Sequence, residues 1–512
     1  MITKWDSAFG KNDLRGIYGQ DITEELYFFV GKAYVKYITA LSGKTASNLW
    51  LTVCRDARNH SPKLSASLIS GLTSAGANVI DLGLAPTPIG YYSNAAEIND
   101  DVTDGNKIDG ALIVTASHNP SQYNGLKMTY NGQILGETAI QELLKYVSEV
   151  SKESLLSHTF GKSLQYDLIP DYINELKLDF KRIGEGLKIV VDSANGTGGI
   201  VAPALYRSLG CQVIELYSNP DGNFPNHHPN PSDEKTLEQI KRTVVEEKAD
   251  FGIAFDGDSD RIGVIDSKGN SMTGDKLLLI FAENLIEKYK NTDVKPIVVS
   301  EVKCSQVLFD TINKIGGEAV MCKTGHGFIK AKMKETNAML AGEMSGHMFF
   351  KDGYYGYDDA VYSGCKVIEI VARNKAKNPS FKIEDLLSPF NAVYSSKEVR
   401  TPCANELKKS VLQMFEEKVK NNSEMFGSEI KDIITIDGMR IVFDGGFALV
   451  RQSNTEPVFT LRFEAKDEKT CKHFEDVTVS SLEECINSIK KKKKKLIYRA
   501  KNIFTEFINT VG

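Results

Sequence analysis

Three times along the chain a short apolar run gives way to a helical pattern and then to another apolar run, and this alternation limits the fold more than any other feature. The first series is Leu51 to Cys54, Pro62 to Ser74 and Val79 to Leu84. A crossover helix returns the chain to the end where it started, so the strands on either side of it lie parallel. The second series starts at Leu187-Lys188-Ile189-Val190-Val191-Asp192, passes a helix near Ala202 to Leu209 and reaches Phe251 to Phe255. The third starts at Pro296-Ile297-Val298-Val299 and runs to about Asn374. After roughly Pro379 the pattern changes to alternating strands punctuated by Asp437-Gly438 and Asp444-Gly445-Gly446, the mark of hairpins in an α+β domain. The expected fold is α/β, with three α/β domains built on mixed, mostly parallel sheets and a C-terminal α+β domain. The expected boundaries are 1–160, 161–268, 269–378 and 379–488, with a tail over 489–512.

Bulk properties exclude several classes. The N-terminal segment lacks the apolar core of a secretory signal, and no run approaches the roughly 18 apolar residues of a membrane span, so a cytoplasmic protein is expected. Eight scattered cysteines, with no Cys-x-x-Cys, predict reduced and mostly buried thiols. The net charge of −5 hides an asymmetry, because residues 489–512 hold eight Lys/Arg and one Glu, leaving −5 − 7 = −12 on the remainder. An acidic body argues against nucleic-acid binding. In the tail, Lys490 to Lys495 precede Leu496, Ile497, Ala500, Ile503, Phe504, Phe507, Ile508 and Val511, which share one face of a helix. Such a segment suits contact with an anionic membrane surface or a partner, and equally suits packing on the acidic body or on a second subunit.

Four segments carry chemistry. Thr115-Ala116-Ser117-His118-Asn119-Pro120 places a serine where the apolar strand Ala111 to Val114 meets a polar turn. A serine hydroxyl is a poor nucleophile without a base, a metal or prior phosphorylation. Asp256-Gly257-Asp258-Ser259-Asp260-Arg261 packs three carboxylates between two apolar runs, a set that suits a hard cation such as Mg²⁺. An EF-hand would need Gly and Glu where Arg261 and Ser267 stand, and a haloacid-dehalogenase loop normally has Thr or Val in place of Asp260. Gly342-Glu343-Met344-Ser345-Gly346-His347 offers a carboxylate, a hydroxyl and an imidazole at alternate positions, which in an extended loop share one face and can bond vicinal sugar hydroxyls. Arg451-Gln452-Ser453-Asn454-Thr455-Glu456-Pro457 combines a guanidinium, hydroxyls and turn amides, a set suited to a phosphate dianion or to a plain hairpin turn. His227 and His228 are adjacent, so in an extended segment they point apart and make a poor metal pair.

In this order the four segments resemble the α-D-phosphohexomutase superfamily, most closely the bacterial phosphomannomutase/phosphoglucomutase group. The likeness runs from Asp13-Leu14-Arg15-Gly16 to Arg462-Phe463-Glu464-Ala465, and includes Asp221 to Pro229 and Lys323-Thr324-Gly325-His326. It implies four domains around a central cleft, the first three of one topology. Ser117 would be the phosphoserine, and Asp256, Asp258 and Asp260 would hold Mg²⁺ with a phosphoserine oxygen. Glu343, Ser345 and His347 would read the sugar, while Arg451, Ser453, Asn454 and Thr455 would grip the phosphate not being transferred. Arg15, Lys127, Arg261, Lys303 and His326 match basic or polar positions of the family's cleft, with Lys127 and His347 the candidates for proton transfer. The implied reaction moves a phosphoryl group between a hexose 1-phosphate and a hexose 6-phosphate of mannose or glucose through a hexose 1,6-bisphosphate, in a monomer or homodimer. Met344 stands where the aminosugar group typically has Gln, which places phosphoglucosamine mutation second. A sugar-phosphate phosphatase or a pure binding protein are further alternatives; a pure binder would need neither Ser117 nor the three aspartates.

Overall fold

A computed structural model describes residues 5–10, 13–96, 98, 100–103, 105–152, 160–453 and 456–511, with 100–101 and 494–511 as backbone only. It separates into two compact units, residues 1–288 with 330–386, and residues 289–329 with 387–512.

The first unit contains two sheets that repeat one plan. In the first, the strands Asn78–Leu84, Trp50–Arg55 and Gly110–Val114 lie side by side in parallel, and the antiparallel strand Tyr123–Tyr130 pairs with Gly110–Val114. In the second, Gln212–Leu216, Lys188–Asp192 and Phe251–Phe255 are parallel, and antiparallel Ile262–Ile265 pairs with Phe251–Phe255. Strands Gly110–Val114 and Phe251–Phe255 are buried at every position, which is why they read as unbroken apolar runs. The first sheet also takes the antiparallel edge strand Leu14–Ile17 and the short parallel strand Ser163–Gln165. That last strand carries the first sheet past the boundary expected at residue 160.

Helices Glu24–Ser42, Ser61–Ser74 and Glu137–Val150 flank the first sheet and bury Leu26, Tyr34, Leu64, Leu68 and Ile140 against Val53, Leu112 and Leu126. Thr23 caps Glu24–Ser42 by accepting from the Leu26 amide, and Gly43 ends it at φ 72°, where a side chain would strain the backbone. The first unit also holds the antiparallel pair Leu340–Gly342 and Met348–Phe350, followed by the helix Ala360–Lys377.

The second unit contains the parallel pair Ile297–Glu301 and Glu318–Cys322 and an antiparallel sheet in the order Ile430–Ile434, Met439–Phe443, Gly446–Gln452, Val458–Ala465. The two Asp-Gly turns fall between its strands as the hairpin reading expects. Helices Asn405–Asn421 and Glu468–Val511 cover that sheet, burying Val411, Phe415, Phe474 and Leu482 on Ile441, Val450 and Phe463. The basic tail is therefore not a separate helix but the end of one helix of 44 residues. The side chains from Lys494 onward lie outside the described residues. All eight cysteines are buried, and none of them forms a disulfide. No helix among the described residues is long and apolar enough to cross a membrane.

Candidate active site

Two loops in the same place of the two repeated sheets meet. Residues 115–122 join Gly110–Val114 to Tyr123–Tyr130, and residues 256–261 join Phe251–Phe255 to Ile262–Ile265. Ser117, 2% exposed, donates its Oγ–H to Asp256 Oδ2 at 2.8 Å. Its amide is held by Thr115 Oγ1 at 2.9 Å, and Thr115 donates in turn to Asp56 Oδ2 at 2.8 Å. His118 Nδ1 lies 3.2 Å from Ser117 Oγ, but Arg261 and burial push its pKa far below the usual histidine range, which leaves it a weak base.

The three aspartates of the second loop are buried together. Lys127, on Tyr123–Tyr130, donates to Asp258 Oδ2 at 2.7 Å and to Asp260 Oδ2 at 2.5 Å. Burial opposes the charge on Lys127, yet Asp258 and Asp260 hold its pKa well above the ordinary lysine value. The opposite face of this bargain is Asp260, whose carboxyl burial would raise but Lys127 holds below the usual range. Asp256 is pushed well above that range, first by burial and then by Asp260 and Asp258. Its Oδ1 accepts from the amides of Asp260 and Arg261 at 3.1 and 3.2 Å. Thr87, at the start of the helix Thr87–Tyr92, donates through Oγ1 to Asp258 Oδ2 at 2.6 Å.

This donor set fits a divalent cation. One oxygen from each of Asp256, Asp258 and Asp260 falls within 4.8 Å of the others. Oδ1 of Asp258 and Oδ1 of Asp260 are buried without a hydrogen-bond partner, a costly state that a hard ion with oxygen ligands removes. A second group, Asp260, His347 and Asp358, is also close enough. There Lys330 Nζ already lies 2.6 Å from Asp358 Oδ1, so the all-aspartate set is the better fit.

Glu343, Ser345 and His347 occupy the loop between Leu340–Gly342 and Met348–Phe350, the same hairpin position once more. The loop is a tight turn and not extended. Gly346 at φ 93° reverses the chain, and a Cβ there would meet the Ile262 carbonyl at 2.3 Å. Ser345 Oγ still bonds Glu343 Oε2 at 3.1 Å, whereas His347 faces the aspartate loop, accepting at Nε2 from Arg261 Nε at 2.9 Å. Its Nδ1 lies 3.1 Å from Asp358 Oδ2 and 3.7 Å from Asp260 Oδ1. Arg15 approaches the serine loop, its Nη1 donating to Asn119 Oδ1 at 3.3 Å and its Nη2 to Asp13 at 2.6 Å.

The remaining sequence-predicted residues lie in the second unit. Asp437 Oδ2 accepts from Arg451 Nε at 2.6 Å and from the Thr324 amide at 3.1 Å, which ties Arg451 to the segment that ends at His326. Lys303 is paired with Glu301 at 3.4 Å, and Ser453 Oγ accepts from the Glu456 amide at 3.1 Å. Asn454 and Thr455 lie outside the described residues. His227 Nε2 lies 3.1 and 3.2 Å from the two carboxylate oxygens of Asp192.

Comparison with known proteins decides the family. The four domains described as "Phosphoglucomutase/phosphomannomutase, alpha/beta/alpha domain I", the same domains II and III, and the C-terminal domain match residues 6–154, 170–269, 273–390 and 398–480. The chain belongs to the phosphoglucomutase/phosphomannomutase family. The phosphomannomutase/phosphoglucomutase of Pseudomonas aeruginosa PAO1 is 35% identical over 94% of this chain and 97% of its own. A phosphoglucomutase of Neisseria gonorrhoeae is 35% identical over 89% and 92%. The crystal structure of a phosphoglucomutase/phosphomannomutase family protein from Burkholderia thailandensis superposes with a TM-score of 0.81 at 34% identity, covering 95% of this chain and 98% of that one.

Within this cluster the sequence reading missed Asp56, Arg58, Thr87, Lys330 and Asp358. A signal existed for two of them. Asp56-Ala57-Arg58 follows the apolar strand Trp50–Arg55 just as the aspartate loop follows Phe251–Phe255. Thr87, Lys330 and Asp358 come from elements without any local motif.

Proposed function

We propose that the protein is a phosphohexomutase that interconverts the 1- and 6-phosphates of glucose and mannose through a phosphoserine at Ser117 and a hexose 1,6-bisphosphate. The observation that carries this reading is the 2.8 Å contact between Ser117 Oγ and Asp256, inside a cluster of three buried carboxylates and the buried Lys127. A buried hydroxyl facing carboxylates has no strong base to activate it, so it serves better as a phosphoryl reservoir than as a nucleophile in a triad. Asp256, Asp258 and Asp260 would hold Mg²⁺, which when bound supplies positive charge at the transferring phosphoryl group.

The chain's own residues divide the remaining work. Lys127, tied to two carboxylates, is an electrostatic partner rather than a base. Arg261 lies 4.0 Å from Asp256 Oδ2 and can neutralise charge on the same group. His347, whose Nε2 accepts from Arg261 Nε, is the candidate to exchange a proton with the sugar hydroxyl once that nitrogen is released from Arg261. Glu343 and Ser345 read hydroxyls of the ring. Arg451, Ser453, Asn454 and Thr455, with Lys303 and His326, hold the phosphate that is not transferred.

The test is to incubate the protein with Mg²⁺ and glucose 1-phosphate, mannose 1-phosphate or glucosamine 1-phosphate, following isomerisation and phosphate release together. Isomerisation of the first two with little free phosphate is expected. Phosphate release without isomerisation would make the protein a phosphatase, and a preference for the aminosugar would make it a phosphoglucosamine mutase.

A further inference from the structure

Beneath the Ser117 loop lies one cation whose donors are aimed at main chain. Arg58 is 1% exposed. Its Nε donates to Asp56 Oδ2 at 2.9 Å, its Nη1 to the carbonyls of Pro120 at 2.6 Å and Tyr123 at 3.1 Å, and its Nη2 to those of Ser117 at 2.8 Å and Asn119 at 2.6 Å. Four of these five bonds reach residues 117–123, Ser117 among them. The site thus puts a desolvated guanidinium to work on the backbone of a single loop, where an ordinary buried arginine is spent on side-chain carboxylates.

That loop needs restraint. Ser117 sits at φ 51°, in the left-handed region that a serine rarely adopts and that persists only where the surroundings over-determine it. The pair Asp56 and Arg58 supplies both restraints. Arg58 holds the Ser117 carbonyl, and Asp56 holds the Ser117 amide through Thr115. The arginine is itself boxed in: a Cβ on Gly222 would come within 2.7 Å of Arg58 Cα, and the Phe224 ring centre lies 5.3 Å from the guanidinium carbon.

We propose that Arg58 is a positioning residue for phosphoryl transfer. Its guanidinium fixes the main chain of residues 117–123 so that Ser117 Oγ points at Asp256, and it places a positive charge directly behind the phosphoserine. This rests on Ser117 being the phosphoryl carrier. Arg58 forms and breaks no bond in the reaction.

The test uses the full chain with Arg58→Ala, Arg58→Lys and Thr115→Val. Thermal melting, kcat and KM for glucose 1-phosphate with Mg²⁺, and uptake of one phosphoryl group from glucose 1,6-bisphosphate by intact mass are measured. Because a small misplacement of a reacting group is costly, Arg58→Ala should lose about 100-fold in kcat and in phosphoryl uptake, with KM changed by less than about threefold. Added guanidinium should restore about tenfold, and Arg58→Lys, with three donors for five acceptors, should lose about tenfold. A kcat within about threefold of wild type in folded Arg58→Ala, or no response to guanidinium, overturns the proposal. Should Arg58→Ala not fold, wild-type uptake rates in both Arg58→Lys and Thr115→Val overturn it instead. A wild-type protein that takes up no phosphoryl group at Ser117 fails the underlying reading, whereas normal uptake in wild type and variants alike fails only the role of Arg58.

Discussion

The loops 115–122 and 256–261 occupy the same place in two sheets of one plan, and both carry a serine in left-handed backbone, Ser117 at φ 51° and Ser259 at φ 63°. Their chemistry differs completely. In the first, the serine hydroxyl faces the other loop; in the second, Ser259 lies 3.4 Å from Thr197, and the three buried carboxylates face Ser117 and Lys127. The hairpin position fixes where a loop is presented, while its side chains decide what it does. The two also complete one another, since Lys127 of the first sheet neutralises the second loop and Asp256 of the second holds the serine of the first.

The sharpest way to separate the loops is to disable one and measure the other. Ser117→Ala should lower isomerisation by more than about 10⁴-fold, as removal of a covalent carrier does, while its three aspartates still bind Mg²⁺ by calorimetry about as the unphosphorylated wild type does. Loss of Mg²⁺ binding together with activity would mean that the two loops act as one unit. Next in size is Lys127→Met, which leaves Asp258 and Asp260 buried without their cation. In Mg²⁺-free buffer this should cost about 3–5 kcal/mol in urea unfolding, and clearly less once Mg²⁺ is added. A cost that ignores Mg²⁺ would place the ion elsewhere. Asp258→Asn should instead weaken Mg²⁺ binding by about 10- to 100-fold, with activity recovering at high Mg²⁺.

Where the sequence was transparent and where it was not follows from the same comparison. Ser117 and the three aspartates are contiguous with apolar strands, so a single local pattern locates both loops. The strand-end position of Arg58 is visible locally, but its partners lie 59 to 65 residues away, and Asp358 meets His347 from 11 residues away, so no local pattern records what either side chain reaches. The third hairpin shows the limit from another side: the extended geometry expected for Glu343, Ser345 and His347 fails because Gly346 turns the chain, so Ser345 bonds Glu343 while His347 faces Arg261. The short strand Ser163–Gln165 is too brief and too polar to announce itself. The long helix Glu468–Val511 swallows a tail that composition alone set apart.

A smaller effect probes the contact between the loops. Gly257 has no side chain where a Cβ would stand 2.7 Å from the Ser117 carbonyl, backbone against backbone. Gly257→Ala should therefore shift the serine loop and lower kcat by about 10-fold, with KM nearly constant. A wild-type kcat would show that the serine loop tolerates displacement, against the restraint assigned to it.

The smallest expected effect compares the aspartates at the ends of the two leading strands. Asp56, after Trp50–Arg55, holds an arginine, which stays charged at every working pH, whereas Asp192, ending Lys188–Asp192, holds His227. Burial works against a charge on His227, but the hydrogen bond and charge of Asp192 raise its pKa above the ordinary histidine value. A group whose pKa is raised on folding contributes stability fully below its unfolded value, near pH 6.5, and loses it as pH climbs through the higher folded value. His227→Gln should therefore be destabilised by up to about 1 kcal/mol near pH 5.5, with the gap closing as pH rises above the ordinary histidine value. Arg58→Lys should show no such slope. A His227→Gln gap that is flat across this range would mean that the histidine stays neutral and only hydrogen-bonds, and the two aspartates would then differ in partner but not in pH response.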